Sequence, residues 1–170
     1  VVGGIMVSSQ TTQSNVSTVS TATTAGQVVS RSLETGIRNS ISWNTGSASA
    51  SLTLTTPATG DQLVKALVIG SGSTDTVSNA RCEAWYYQGS SGSIRYKTSA
   101  SAIATPTVAQ LSTWSLLATG VSPITGSTIF TLTGTNGLAI AYQVSAGKDP
   151  SIPFQSTVYS LTSLTGTVTC

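Results

Sequence analysis

Between Ile5 and Ile41 the residues Ile5, Val16, Val19, Ala22, Gly26, Val29, Leu33, Ile37 and Ile41 recur at steps of mostly three or four. On a helical wheel they fall in one stripe roughly 140° wide, the pattern of an amphipathic helix. No Pro interrupts this stretch, and Asn44-Thr45-Gly46 supplies a left-handed stop with Gly46 just beyond the last turn. A helix over residues 1–44 would be about 66 Å long at 1.5 Å per residue. A compact body of this size has a radius of gyration of only about 15 Å. The part from Val28 to Trp43 can therefore lie on a body through Val29, Leu33, Ile37 and Ile41, whereas the part before it is expected to project as a stalk. Ser and Thr are mediocre helix formers, so packing must hold this helix. Arg31, Glu34 and Arg38 are spaced to mark its solvent side, with Glu34 in the favourable order for pairing with Arg38.

After Ala50 the periodicity changes to two, or to short apolar runs between turn residues. The expected strands are Ser51 to Thr55, Leu63 to Ile69, Arg81 to Tyr87, Ser93 to Lys97, Thr113 to Ala118, Thr128 to Thr133, Leu138 to Val144 and Gln155 to Leu161. Turns are expected at Pro57 to Gly60, Gly70 to Thr76, Gln88 to Gly92, Ser122 to Gly126 and Gly134 to Gly137. The segments Cys82 to Tyr87 and Ile94 to Tyr96 read as a hairpin with aromatic cross-strand partners. The expected class is α+β: one long N-terminal helix (stalk 1–27, packed part 28–45) on an antiparallel sheet formed by residues 46–170.

Composition narrows the function. Only 7% of the 170 residues are charged and about a third are Ser or Thr, against about 25% charged in average globular proteins. With no His and five carboxylates, metal sites and Ser-His-Asp chemistry have little to draw on. Lys65, Lys97 and Lys148 show no SxxK arrangement, so neither an enzyme nor a cofactor is expected. The seven Lys and Arg are scattered, leaving no basic track for nucleic acid.

Cys82 and Cys170 are too far apart for a CxxC motif. A disulfide between them would tie down a fraying end and imply an oxidising compartment; two unpaired thiols are the plainer reading. The stretch Val1-Val2-Gly3-Gly4-Ile5-Met6-Val7 is too short to span a bilayer, and reads as the trailing edge of a longer hydrophobic segment removed by processing or design, or else as a short buried strand. Asn15-Val16-Ser17 matches a glycosylation acceptor but carries no weight in so Ser-rich a chain. Lys148-Asp149-Pro150 reads as a charged turn. The aromatic set Trp85, Tyr86, Tyr87, Tyr96 and Trp114 could form a sugar-stacking platform, although strand alternation favours core packing. Glu83, Asp61 and Asp75 lack the spacing of a calcium or acid/base site.

Taken together, Val1 to Val7 leading into the Ser/Thr-rich helix, the Leu33-Glu34-Thr35-Gly36-Ile37-Arg38-Asn39-Ser40 stretch and the sheet segments Cys82 to Tyr96, Trp114 to Ala118 and Ile129 to Leu132 resemble type IV pilins and pseudopilins, in particular minor, prepilin-like subunits. The basic leader and cleavage motif of that family would lie upstream of Val1. The resemblance implies a structural subunit held in the cytoplasmic membrane and then extracted into an extracellular pilus, secretion or competence filament. Other pilin subunits would be its partners, and assembly would run through Ile5, Val16, Val19, Ala22, Val29, Leu33, Ile37 and Ile41. It likewise implies that Cys170 closes a final loop by a disulfide to Cys82. Without its anchor the subunit would be a soluble monomer. The alternative is a surface adhesin or phage fibre head on a Ser/Thr-rich stalk, which predicts a β-rich or trimeric segment over residues 1–44.

Overall fold

The computed structural model describes residues 2–43, 52–69, 80–126, 128–134, 136–160, 162–164 and 170, with the backbone alone for 2–12, 14, 42–43 and 162–164. Helix α1, Val2–Arg38, opens the chain. It is followed by β1 (Ile41–Trp43), β2 (Leu52–Thr55), β3 (Gln62–Ile69), β4 (Ala80–Gln88), β5 (Ser93–Ser99), the short α2 (Val108–Leu111), β6 (Ser115–Ala118), β7 (Val121–Pro123), β8 (Phe130–Thr133), β9 (Gly137–Ala146), β10 (Asp149–Tyr159) and β11 (Thr162–Leu164).

This corrects the expected fold class. The described residues are strand-dominated, and the strands divide between two antiparallel sheets instead of forming one sheet under a helix. The first sheet runs β2-β3-β4-β5-β6. In the second, β10 pairs with one side of β9, while β7 and β8 lie end to end along its other side. A parallel pair, β1 with β11, stands apart.

The patterns of burial explain the division. Leu138, Ile140, Tyr142, Val144 and Ala146 alternate along β9 and are all buried, so they require an apolar layer of their own. Strands β3 and β4 are buried on both faces, so a single covering layer cannot satisfy them. On one face Val64, Ala66, Val68 and Trp85 meet Val29, Leu33 and Ile37 of α1 together with the inner side of β9. On the other, Leu63, Leu67, Ala84 and Tyr86 are covered by Ile41, Ile103, Leu111 and Trp114.

Helix α1 stops at Arg38, six residues before the expected end, and Ile41 is not on it. The hydroxyl of Ser40 donates to the Ile37 carbonyl at 2.7 Å, and its own N–H reaches the same carbonyl at 3.1 Å. Residue Ser40 then bridges to Val68, occupying the place beside β3 that β2 leaves after Ala66. The spacing of Ile37 and Ile41 mimics one more helical turn, but Ile41 is buried in the opposite core. The Glu34–Arg38 ion pair does not form; among the described residues the ion pair is Arg81–Glu83.

The disulfide joins Cys82 and Cys170, 88 residues apart. Of the expected strands, the segments from Leu63 to Ala118 match β3 to β6 closely, whereas β1, β7 and β11 were not expected and β10 begins six residues early. Strand β7 takes the first part of the turn expected at Ser122 to Gly126. The turn expected at Gly70 to Thr76 lies outside the described residues.

Candidate functional site

Helix α1 divides by what lies under it. From Ala22 to Ile37 it is keyed into the body by aromatic side chains and glycines. A Cβ on Gly26 would stand 2.1 Å from the Phe154 ring, and one on Gly36 2.3 Å from the Trp85 ring, so only glycine admits these rings so close to the helix. Phe154 stacks on Tyr142 with ring centroids 5.3 Å apart. The Tyr142 hydroxyl donates to the Gly26 carbonyl at 2.7 Å and lies 2.9 Å from Ser30 Oγ. The Trp85 indole N–H donates to Ser32 Oγ at 2.9 Å. Burial pushes the Tyr142 phenol up to about 12, with the Ser30 hydrogen bonds pulling the other way and the Glu34 charge adding to the rise.

Before Ala22 this support thins, with Thr18 and Thr21 still beside Thr119 and Ser145. The Thr18 methyl lies 3.2 Å from where a Cβ on Gly147 would sit, while Gln13, Asn15, Val16 and Ser17 are exposed. The helical residues ahead of Thr18, Val2 to Ser17, extend about 24 Å at 1.5 Å per residue. The hydroxyls of Thr21, Thr23 and Thr24 donate to the carbonyls of Ser17, Val19 and Ser20, at 2.9, 2.8 and 2.9 Å.

The expected assembly set is therefore split. Ala22, Val29, Leu33 and Ile37 are buried by the chain's own sheets, and Ile41 is buried elsewhere, in the second core. Val16 and Val19 are free on the surface, at 64% and 37% exposure. Ile5 has no described side chain. The structure brings the buried four together as an anchor and leaves Val16 and Val19 as the exposed part of the stripe. Periodicity cannot separate these two halves, because both obey the same spacing.

The other candidate groups are structural. Trp85, Tyr86, Tyr87 and Trp114 are buried and Tyr96 is half-buried, so they form core and not a stacking platform. Asp61 accepts from the Tyr86 hydroxyl at 2.6 Å and the Gly89 N–H at 2.8 Å. Burial first, and then Asp61, holds the Tyr86 phenol far above the usual tyrosine range. Glu83, nearly buried, accepts from Arg81 Nε at 3.0 Å and Nη2 at 2.9 Å. Asp75 lies outside the described residues, and Lys148 sits in the turn between β9 and β10.

Sequence reasoning passed over Tyr142, Phe154 and Gln62. The two aromatics sit at alternating positions of apolar runs, a visible signal. Gln62 gave none, yet its amide joins the two sheets: Oε1 accepts from Ile129 N at 2.6 Å and Phe130 N at 3.0 Å, and Nε2 donates to Phe130 O at 2.9 Å.

Among the described residues no helix is long and apolar enough to cross a membrane, and no three His, Cys, Asp or Glu side chains are grouped to hold a metal ion. The chain matches no protein-family model, no curated protein and no solved structure.

Proposed function

We propose that this protein is a non-enzymatic structural subunit of a cell-surface filament, of the type IV pilus class or a related secretion or competence filament. It is held at the cytoplasmic membrane before assembly and joined to sister subunits through the free part of α1. The observation that carries this reading is that the helix continues for about 24 Å ahead of Thr18, where it still touches the body.

The chemistry of that free part supports burial. No charged residue occurs before Arg31, and burying an unpaired charge is what most strongly opposes helix association. Threonine hydroxyls bonded back to their own helix need no water. Sister copies offer the same uncharged surface, so like can pack on like. The disulfide fits an oxidising, extracellular setting. The adhesin reading calls for a β-rich or trimeric opening segment, and helix over Val2–Arg38 speaks against its β-rich form.

The test is to image surface filaments in cells carrying Val16→Asp with Val19→Asp. Filaments should be lost while the disulfide-bonded body persists in extracts. Undiminished filaments would refute assembly through this surface.

A further inference from the structure

The face of the five-stranded sheet turned away from α1 carries three cations, two of which already have partners. Lys65 Nζ donates to the carbonyls of Ile103 and Cys170 at 3.2 and 2.9 Å, and Arg95 Nη1 donates to the Trp114 carbonyl at 3.3 Å. Lys97, opposite Ala84 in the register, has its ammonium 5.8 Å from the centre of the Trp114 ring. Among the described residues no carboxylate lies within ion-pairing distance of it. Asp61, the acid near this face, is taken up by Tyr86 and Gly89.

Lys97 borders a concavity of about 360 Å3, within the range of small-molecule sites. Its rim holds Ser99, Gln110 and Thr113, and Ala104 and Pro106 supply apolar wall. The Gln110 carbonyl oxygen accepts from the Thr107 N–H at 2.9 Å, which leaves its amide NH2 available as a donor. Thr113 Oγ1 spends its proton on the Gln110 backbone carbonyl at 2.8 Å, so its lone pairs remain to accept from a ligand hydroxyl. Trp114 is too deeply buried to stack on a ligand. It serves as the base beneath the ammonium.

We infer that this concavity binds a carboxylate-bearing monosaccharide. The carboxylate pairs with Lys97, the sugar hydroxyls meet Gln110 and Thr113, and the C–H face of the ring rests on Ala104 and Pro106. A neutral sugar would leave the ammonium unpaired, and a bare carboxylate would leave the polar rim and apolar wall unused. The site lies on the side of the sheet opposite α1, so it remains open when the helix is engaged.

The experiment is a titration of the full chain with glucuronate, glucose and acetate, followed by the amide and indole N–H signals of Trp114 in 15N–1H spectra. Glucuronate should give saturable shifts around Trp114 and Gln110, with glucose and acetate giving none at equal concentration. Lys97→Met should weaken glucuronate binding about tenfold, the scale of one charge-assisted hydrogen bond, while Lys97→Arg should retain most of it. No shift with glucuronate, equal response to glucose or acetate, or unchanged affinity in a folded Lys97→Met protein would each overturn the assignment.

Discussion

Gly36 of α1 faces the Trp85 indole with no space for a side chain, since a Cβ there would stand 2.3 Å from Cη2 and 2.5 Å from Cζ2. Trp85 is fully buried and its N–H is committed to Ser32, so the ring cannot give way without losing that bond. Alanine would improve helix propensity by about 1 kcal/mol, while overpacking costs about 1–3 kcal/mol. Gly36→Ala is expected to be less stable by about 1 kcal/mol in urea denaturation. A variant as stable as the parent would show that the ring moves freely.

The Gln62 amide supplies three hydrogen bonds to the Ile129–Phe130 backbone. Removing them strands buried polar groups, each at a cost of about 1–3 kcal/mol. Gln62→Ala should therefore destabilise the body by about 3 kcal/mol and speed hydrogen exchange at the Ile129 and Phe130 amides ahead of those in β4. Equal protection at all these amides would show that β8 is held without the clamp.

Opening the Cys82–Cys170 bridge frees a long loop in the unfolded chain. Cys170→Ser should lower stability by about 2–5 kcal/mol, and addition of reductant should bring the parent to the same midpoint. Cys82 is buried with Leu63, Leu67, Ala84 and Ile103, so loosening should appear first in that cluster and later around Tyr142.

Tyr142 bears on alkaline stability. Its phenol ordinarily ionises near 10.0 and is pushed up to about 12 in the fold by burial. The folded state thus holds its proton more tightly than the unfolded chain. The resulting contribution is complete below pH 10 and is lost as pH rises through about 12. Tyr142→Phe should make stability fall less steeply over that window, as read from urea midpoints. An unchanged slope would place the alkaline loss on the other raised phenols, Tyr86, Tyr87 and Tyr96.

The helix and most strands were legible because each rests on local spacing: Val29, Leu33 and Ile37 on one, alternating Leu138, Ile140, Tyr142 and Val144 on another. The division into two sheets was not, since alternation shows that a strand has an inner face without saying which layer that face meets. Nor was β1, whose three residues pair with a segment about 120 positions away. The Ile37 to Ile41 spacing misled because Ser40 ends the helix by capping Ile37, a choice made by contacts with β3 and Ser160. Of the assembly stripe, the sequence displayed the period, and length alone set the end of the packed part at Val28, whereas Ala22 and Gly26 are already packed on the body.

A tug along the axis of α1 from its N-terminal side would be delivered to the body through the helix. Two rings seated in glycine notches, Phe154 at Gly26 and Trp85 at Gly36, resist it side-on. They bear the load before it reaches the backbone joint at Asn39, whose carbonyl is tied to Ile69 at the end of β3. A load along α1 would thus be shared by interlocking shapes on both sheets, Phe154 on β10 and Trp85 on β4.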